Sequence, residues 1–323
     1  MEYLKCFNKV TPRINITYKC NMFSYCKYCY SKEELKKYPN DMKIKDFLRL
    51  IQWFKEAYQI ENVVFLGGES ISHPEFKKFG EILNSENVGC FLFTNGCFSK
   101  EKLEIIKNIN AFHTVFLHFE PAFLNNKLLR KKFLKNLEEL TKVKKIVFRY
   151  NTGDPKFDFS ELIELSKKYN ASIAYSFTSP TINRDIEYVK LNNLKKYVPQ
   201  LIKFLEETEK NGIDVLDKRP LPLCIFDQDE LNKYLKNGMI RSDCCFGSVC
   251  VNPDLSLIAS PTLTNIITSP PENKNDLIKK VNLLQNKVDN LKWNTPTILK
   301  CKNCSRWKNH ECQGGCTVYK VVK

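Results

Sequence analysis

Three cysteines, Cys20, Cys26 and Cys29, stand close together in NITYKCNMFSYCKYCYSKE, a segment without histidine. Thiolates at this density bind iron or zinc. A tetrahedral zinc site needs a fourth ligand at comparable spacing, and no further cysteine occurs before Cys90. Three ligands therefore suit a cluster with one open iron, or a zinc loop completed from elsewhere in the fold. A second group, Cys244, Cys245, Cys250, Cys301, Cys304, Cys312 and Cys316, crowds the end of the chain and implies a second metal centre. By spacing alone, CxxC followed by a further cysteine pair could hold one zinc as a ribbon. Cys6, Cys90, Cys97 and Cys224 read as ordinary buried thiols, with Cys224 near enough to the second group to be a reserve ligand. His73, His113, His118 and His310 form no ligand spacing and read as incidental.

These residues need elements to position them. Apolar alternation over Arg13 to Tyr18 predicts a first strand, with the cysteine loop at its end. Ile44, Phe47, Leu48, Ile51 and Phe54 recur at helical spacing, which predicts a helix over Lys43 to Gln59. Short β-branched or aromatic runs follow at Asn62 to Leu66, Gly89 to Phe93, Thr114 to Phe119, Lys145 to Tyr150 and Ser172 to Phe177. Helical patterns between them begin near Pro74, Lys100, Asn126 and Asp158. Six such repeats mean an α/β fold with a parallel sheet, either an open doubly wound sheet or a partial barrel. In such folds working residues gather at the carboxyl ends of strands. Those ends carry Gly67, Gly68 and Glu69 in VVFLGGES, Thr94, Asn95 and Gly96 in FTNG, Glu120 in HFEP, and Arg149 and Asn151 in FRYN. Glycines there let backbone approach a ligand, or simply make a tight turn. Beyond Phe177 the pattern predicts a helix over Asn192 to Asn211, a boundary at Pro220 and Pro222, a hairpin over Val249 to Ser260 and a helix over Asn273 to Leu291.

The chain has 323 residues, 43% of them hydrophobic, which suits an ordinary buried core and about two domains. No apolar run reaches membrane-spanning length, and Met1 to Cys6 lacks the apolar stretch of a secretory signal, so a cytoplasmic location is expected. Fourteen cysteines without an export signal argue for metal over disulfides. The net charge of +15 raises the question of nucleic acid. Most of it is lysine spread along amphipathic segments such as Lys127 to Lys145, which fits a solvated face better, and leaves room for an acidic peptide or tRNA. A lysine-rich zinc-ribbon protein that binds nucleic acid is the non-enzymatic reading.

The cysteine loop and GGE together resemble the radical S-adenosylmethionine enzymes. Their cluster loop holds three cysteines, most often as CxxxCxxC, with an aromatic residue before the last; Tyr28 takes that place, although five residues separate Cys20 from Cys26. The resemblance implies a six-stranded partial (β/α) barrel and a [4Fe–4S] cluster on Cys20, Cys26 and Cys29 that cleaves S-adenosylmethionine to a 5′-deoxyadenosyl radical. It implies that Gly67, Gly68 and Glu69 bind the methionine amino group, and it adds Tyr28, Thr94 and Asn95 to the cofactor site. By position, Arg149 would take the cofactor carboxylate, and Glu120 and Asn151 the ribose hydroxyls, while a solvated salt bridge explains Arg149 and Glu120 as well. CQGGC, with Cys312 and Cys316, resembles the cluster-bearing SPASM extension. The gap from Cys304 to Cys312 is two residues longer than usual there, no cysteine follows Cys316, and Ser260 stands where the hairpin often has a thiolate. At least one auxiliary [4Fe–4S] cluster is expected, in a domain over 216–323 that follows a barrel over 1–215. The resemblance further implies modification of a ribosomally made peptide, with tRNA, a protein side chain or a small molecule as alternatives, and an electron donor such as flavodoxin or ferredoxin. Gly68→Val is expected to block the methionine without harming the fold.

Overall fold

The structure, a computed structural model, describes residues 10–182, 186–242 and 249–322. Cys6, Cys244 and Cys245 lie outside them. The chain divides into two compact units, one of residues 1–146 with 246–285, the other of residues 147–245 with 286–323.

In the first unit the strands β1 (Arg13–Asn15), β2 (Asn62–Leu66), β3 (Gly89–Thr94) and β4 (Thr114–Phe119) run parallel in that order, with Arg13 opposite Val64 and Phe91 opposite Thr114. Among the helices of the crossovers are α1 (Ile44–Tyr58), α2 (Phe76–Ser85) and α3 (Lys100–Asn108). The expected amphipathic stripe forms in α1, but through Phe47, Leu50, Ile51 and Phe54, with Leu48 only half-buried. That stripe meets β2 through Phe47 and Phe65, whose rings lie 5.8 Å apart, while Phe76 of α2 stacks on Phe112 at 5.0 Å. All four rings are fully buried, each contributing about 2 kcal/mol of apolar transfer before ordering costs. Gln59 ends α1 in the left-handed region, which turns the chain into β2.

The first strand is shorter than expected, because Ile16 to Tyr18 leave the ladder. The Tyr18 hydroxyl instead donates to Asn252 Oδ1 at 2.7 Å and accepts from Asn15 Nδ2 at 3.0 Å. The hairpin is present as β8 (Cys250–Val251) and β9 (Leu257–Ile258), antiparallel and joined through a left-handed Leu255. It extends the sheet, with β8 parallel to β1. A third short strand, β10 (Ile267–Thr268), pairs with β9.

In the second unit β5 (Lys145–Thr152), β6 (Ser172–Phe177) and a short β7 (Val215–Asp217) are parallel. All six expected strands are therefore present, and β7 is a strand the sequence pattern did not show. The expected helix over Asn192 to Asn211 is really two pieces, a tight 3₁₀ segment Leu191–Tyr197 and an α-helix Val198–Lys210. Pro199 is the reason, since it lacks the N–H that a continuous helix needs and belongs in a first turn.

Candidate functional site

The cysteine loop is held at both ends by the GGE segment. Gly68 N–H donates to Thr17 O at 3.1 Å and Glu69 N–H to Lys19 O at 2.8 Å, which fixes the chain just before Cys20. Ser31 Oγ donates to Gly67 O at 2.8 Å, which fixes it just after Cys29. Inside the loop, turns close from Tyr25 N–H to Met22 O and from Cys29 N–H to Cys26 O. All three cysteines are half-buried. Burial raises the Cys20 thiol most, followed by Glu69 and then by Cys29 and Cys26, so these four groups are electrostatic neighbours.

The two glycines are closely opposed by backbone of the segment before Cys20. Gly67 has φ +111°, and a Cβ there would lie 2.2 Å from Thr17 O. A Cβ on Gly68 would lie 2.2 Å from Tyr18 O and 2.4 Å from Lys19 O. The space that glycine leaves open is filled by the protein's own backbone, so the expectation that Gly68→Val spares the fold is corrected.

Glu69 is 4% exposed. Its Oε2 accepts from Asn95 N–H at 2.8 Å, whereas Oε1 is buried without a hydrogen-bonding partner among the described residues. Burial pushes the carboxyl up to about 7, against the pull of Asn95 N–H, the Thr94 hydroxyl and Ile71 N–H. An unpartnered buried carboxylate oxygen costs free energy unless a cation or donor meets it. The ammonium of a methionine is such a partner, and three half-buried thiols leave an iron–sulfur cluster one open iron; this donor set fits the cofactor and cluster that the resemblance implies.

Thr94 and Asn95 shape the third strand end. Thr94 Oγ1 accepts from Gly96 N–H, Asn95 Oδ1 accepts from Cys97 N–H, and Asn95 Nδ2 donates to Asn21 Oδ1 at 2.8 Å within the cysteine loop. Asn21 Nδ2 in turn donates to Cys97 O. Their side chains thus already serve the turn.

Tyr28 turns its hydroxyl to His118 Nε2 at 2.9 Å and donates to Glu120 Oε2. Glu120 Oε1 accepts from Ala122 N–H at 3.2 Å, capping the short helix Pro121–Leu124. Burial alone would raise Glu120, but His118, Tyr28 and Ala122 N–H outweigh it and hold the carboxyl below its ordinary range. The ligand atoms of Cys26, His118 and Glu120 lie within 4.8 Å of one another. His118 was read as incidental and belongs here. The signal was available, since His118 and Glu120 are two apart at a strand end and so project to the same side.

In the second unit, Arg149 and Asn151 lie on β5, with Asn151 Oδ1 accepting from Ser176 Oγ at 2.6 Å. The C-terminal thiols gather around the turn of CQGGC. Cys301, Cys312 and Cys316 are buried and Cys304 half-buried. The longer gap before Cys312 is taken up by the helical turn Ser305–Lys308 and by His310 in the left-handed region. Gly314 and Gly315 both have positive φ, and Gly314 N–H donates to Cys312 Sγ at 3.4 Å. Cys316 lines a small cavity with Phe177, Ser179, Arg219, Leu221 and Tyr319. Cys250 is buried on β8 in the first unit, where burial raises its thiol to about 11 against the pull of Arg13. Cys90 and Cys97 are buried as expected, but Cys224 is exposed, although the Pro220–Leu223 segment that leads into it is buried.

Residues 14–123 match the model of the Radical SAM superfamily. A Methanocaldococcus jannaschii protein, provisionally named a glycyl-radical enzyme activating enzyme, is 31% identical over 90 residues, 28% of this chain. That match spans only 33% of the curated relative's length. Streptococcus suis SuiB bound to S-adenosylmethionine superposes with TM-score 0.68 at 14% identity, over 98% of this chain and 76% of its own. SuiB bound to precursor peptide SuiA gives 0.68 at 15% identity, over 98% and 74%. The anSMEcpe structure with bound AdoMet gives 0.67 at 17% identity, over 95% and 86%. At these identities the likeness establishes the fold alone.

Proposed function

Residues 14–123 being a radical SAM domain, we propose that this chain modifies a ribosomally made peptide in the cytoplasm. When bound, the [4Fe–4S] cluster and S-adenosylmethionine supply a 5′-deoxyadenosyl radical. Cys20, Cys26 and Cys29 hold the cluster, and Glu69 holds the methionine ammonium. Gly67 and Gly68 pin the loop that carries the thiols. Arg149 takes the cofactor carboxylate, and Asn151 and Glu120 the ribose, Glu120 in exchange for its bond to Tyr28. Residues 216–323 supply an auxiliary cluster, with ligands drawn from Cys244, Cys245, Cys250, Cys301, Cys304, Cys312 and Cys316, and a flavodoxin or ferredoxin supplies electrons.

The observation that carries the cofactor reading is Glu69 Oε1, buried without a partner among the described residues, on a carboxylate that is an electrostatic neighbour of the Cys20 thiol. The peptide reading is supported by the shared fold of SuiB and anSMEcpe, both solved with peptides, and by the basic charge, which favours an acidic partner. A reacting carbon must approach the radical closely, and a flexible peptide can do this more readily than a rigid folded surface. The relative from Methanocaldococcus jannaschii supports a second reading, in which the target is a side chain or backbone carbon of a folded protein partner.

Reconstituted enzyme incubated with precursor peptides encoded beside its gene, and separately with bulk tRNA, tests the proposal by mass change and 5′-deoxyadenosine. A mass change on peptide that requires S-adenosylmethionine is the expected result. A nuclease-sensitive product on tRNA with no peptide modified would overturn it.

A further inference from the structure

We propose that Cys224 joins Cys301, Cys304 and Cys312 in one four-thiolate metal site, and so supplies the fourth ligand of an auxiliary cluster. The proposal rests on the reading of the C-terminal segment as cluster-bearing, and it resolves a shortage in that reading. Cys301, Cys304 and Cys312 need a fourth thiolate, and Cys316 lines a small cavity with Arg219 and Tyr319.

The backbone brings the PLPLC segment directly onto the CQGGC turn. Leu223 N–H, one residue before Cys224, donates to Cys312 Sγ at 3.5 Å, while Gly314 N–H reaches the same sulfur at 3.4 Å. Two amide donors on one sulfur suit a thiolate better than a neutral thiol. A Cβ on Gly315 would meet Pro222 Cγ at 3.1 Å, and one on Gly314 would meet Cys301 Sγ at 3.3 Å. Both glycines are therefore needed to seat PLPLC and the Cys301 loop against a single turn. Leu221 N–H to Arg241 O at 2.9 Å anchors the other end of the segment. Prolines at 220 and 222 keep it extended, so Cys224 is delivered rigidly.

Three of the four are buried or half-buried while Cys224 is exposed, so the site has one corner open to solvent.

The test uses full-length chain carrying Cys20→Ala, Cys26→Ala and Cys29→Ala, so that the remaining iron belongs to the C-terminal centre. The anaerobically loaded protein and the same protein stripped with a chelator are treated with iodoacetamide, and each cysteine is followed by peptide mass spectrometry. Cys224, Cys301, Cys304 and Cys312 should all alkylate about tenfold or more slowly when loaded, because a metal-bound thiolate is withheld from the reagent. Adding Cys224→Ala should remove iron from the centre or convert it to a three-iron form visible by electron paramagnetic resonance. Protection of Cys301, Cys304 and Cys312 with Cys224 reacting at its stripped rate would overturn the proposal and leave the auxiliary-cluster reading intact. Protection of all four by zinc, without iron or sulfide, would support the ligand set and overturn the iron–sulfur reading. Protection of none would overturn both.

Discussion

Glu69→Gln separates the cost that this carboxylate imposes on the empty protein from what it contributes to cofactor binding. Its carboxyl is raised from 4.5 to about 7, a differential of about 3 kcal/mol between protonated and ionised forms in the native state. Because the native state holds the proton more tightly than the unfolded chain, stability falls as pH rises from about 4.5 through about 7, then levels off. Glu69→Gln removes that decline, so cofactor-free variant should be the more stable protein at pH 8, with little difference at pH 5. Binding should change in the opposite direction. Losing the charge that faces an ammonium in a buried site costs about 3–5 kcal/mol, or roughly two to four orders of magnitude in Kd. Urea unfolding at pH 5 and pH 8 reads the first effect, and calorimetric titration of the cluster-loaded protein with S-adenosylmethionine at pH 8 reads the second. Cofactor binding by Glu69→Gln as tight as by the parent chain would refute the role of Oε1, whatever happened to stability.

Replacing Cys20, Cys26 and Cys29 together by Ala should abolish 5′-deoxyadenosine formation while the C-terminal centre keeps its iron, as read by product chromatography and iron analysis. Gly68→Val should lower soluble yield and iron content together, because its Cβ meets two backbone carbonyls near 2.2 and 2.4 Å; a well-folded, fully loaded variant with weak cofactor binding alone would contradict this. In the second unit, burial pushes Asp217 up to about 7 although Arg219 and Arg241 N–H donate to it. Stability measured by thermal melting should therefore fall between about pH 4 and 7 through this group, and Asp217→Asn should flatten that part of the profile.

The alternation of apolar runs and helical stripes was enough to find all six main strands, because each parallel strand is a short, nearly continuous β-branched or aromatic run. Element ends were harder to read. Ile16 to Tyr18 have strand composition, yet Tyr18 leaves the ladder for Asn252, more than two hundred residues away in sequence, and no local pattern encodes that partner. The site shows the same division. Cys20, Cys26, Cys29 and Glu69 are visible as motif and spacing. The His118–Glu120 spacing is local, but Tyr28, which joins them, comes from the distant cysteine loop and no local pattern displays it. Cys224 is exposed where an ordinary buried thiol is expected, because the turn Leu223–Ile225 that carries it has no local signature of its burial. The glycines were found, but the atoms that oppose them are backbone carbonyls of another segment, which sequence does not display.

The clamp from Gly67, Gly68 and Glu69 onto Thr17, Lys19 and Ser31 also bears on how this loop can vary. With both ends fastened to one rigid strand end, the intervening chain is a closed ring, and the entropy of closing a ring rises only logarithmically with its length. Two additional residues in a ring of this size cost about 0.1 kcal/mol. The five-residue gap between Cys20 and Cys26 is thus tolerated at almost no thermodynamic penalty. Insertions there should be neutral to folding, whereas equally small insertions between Leu66 and Glu69 would move the fastening itself.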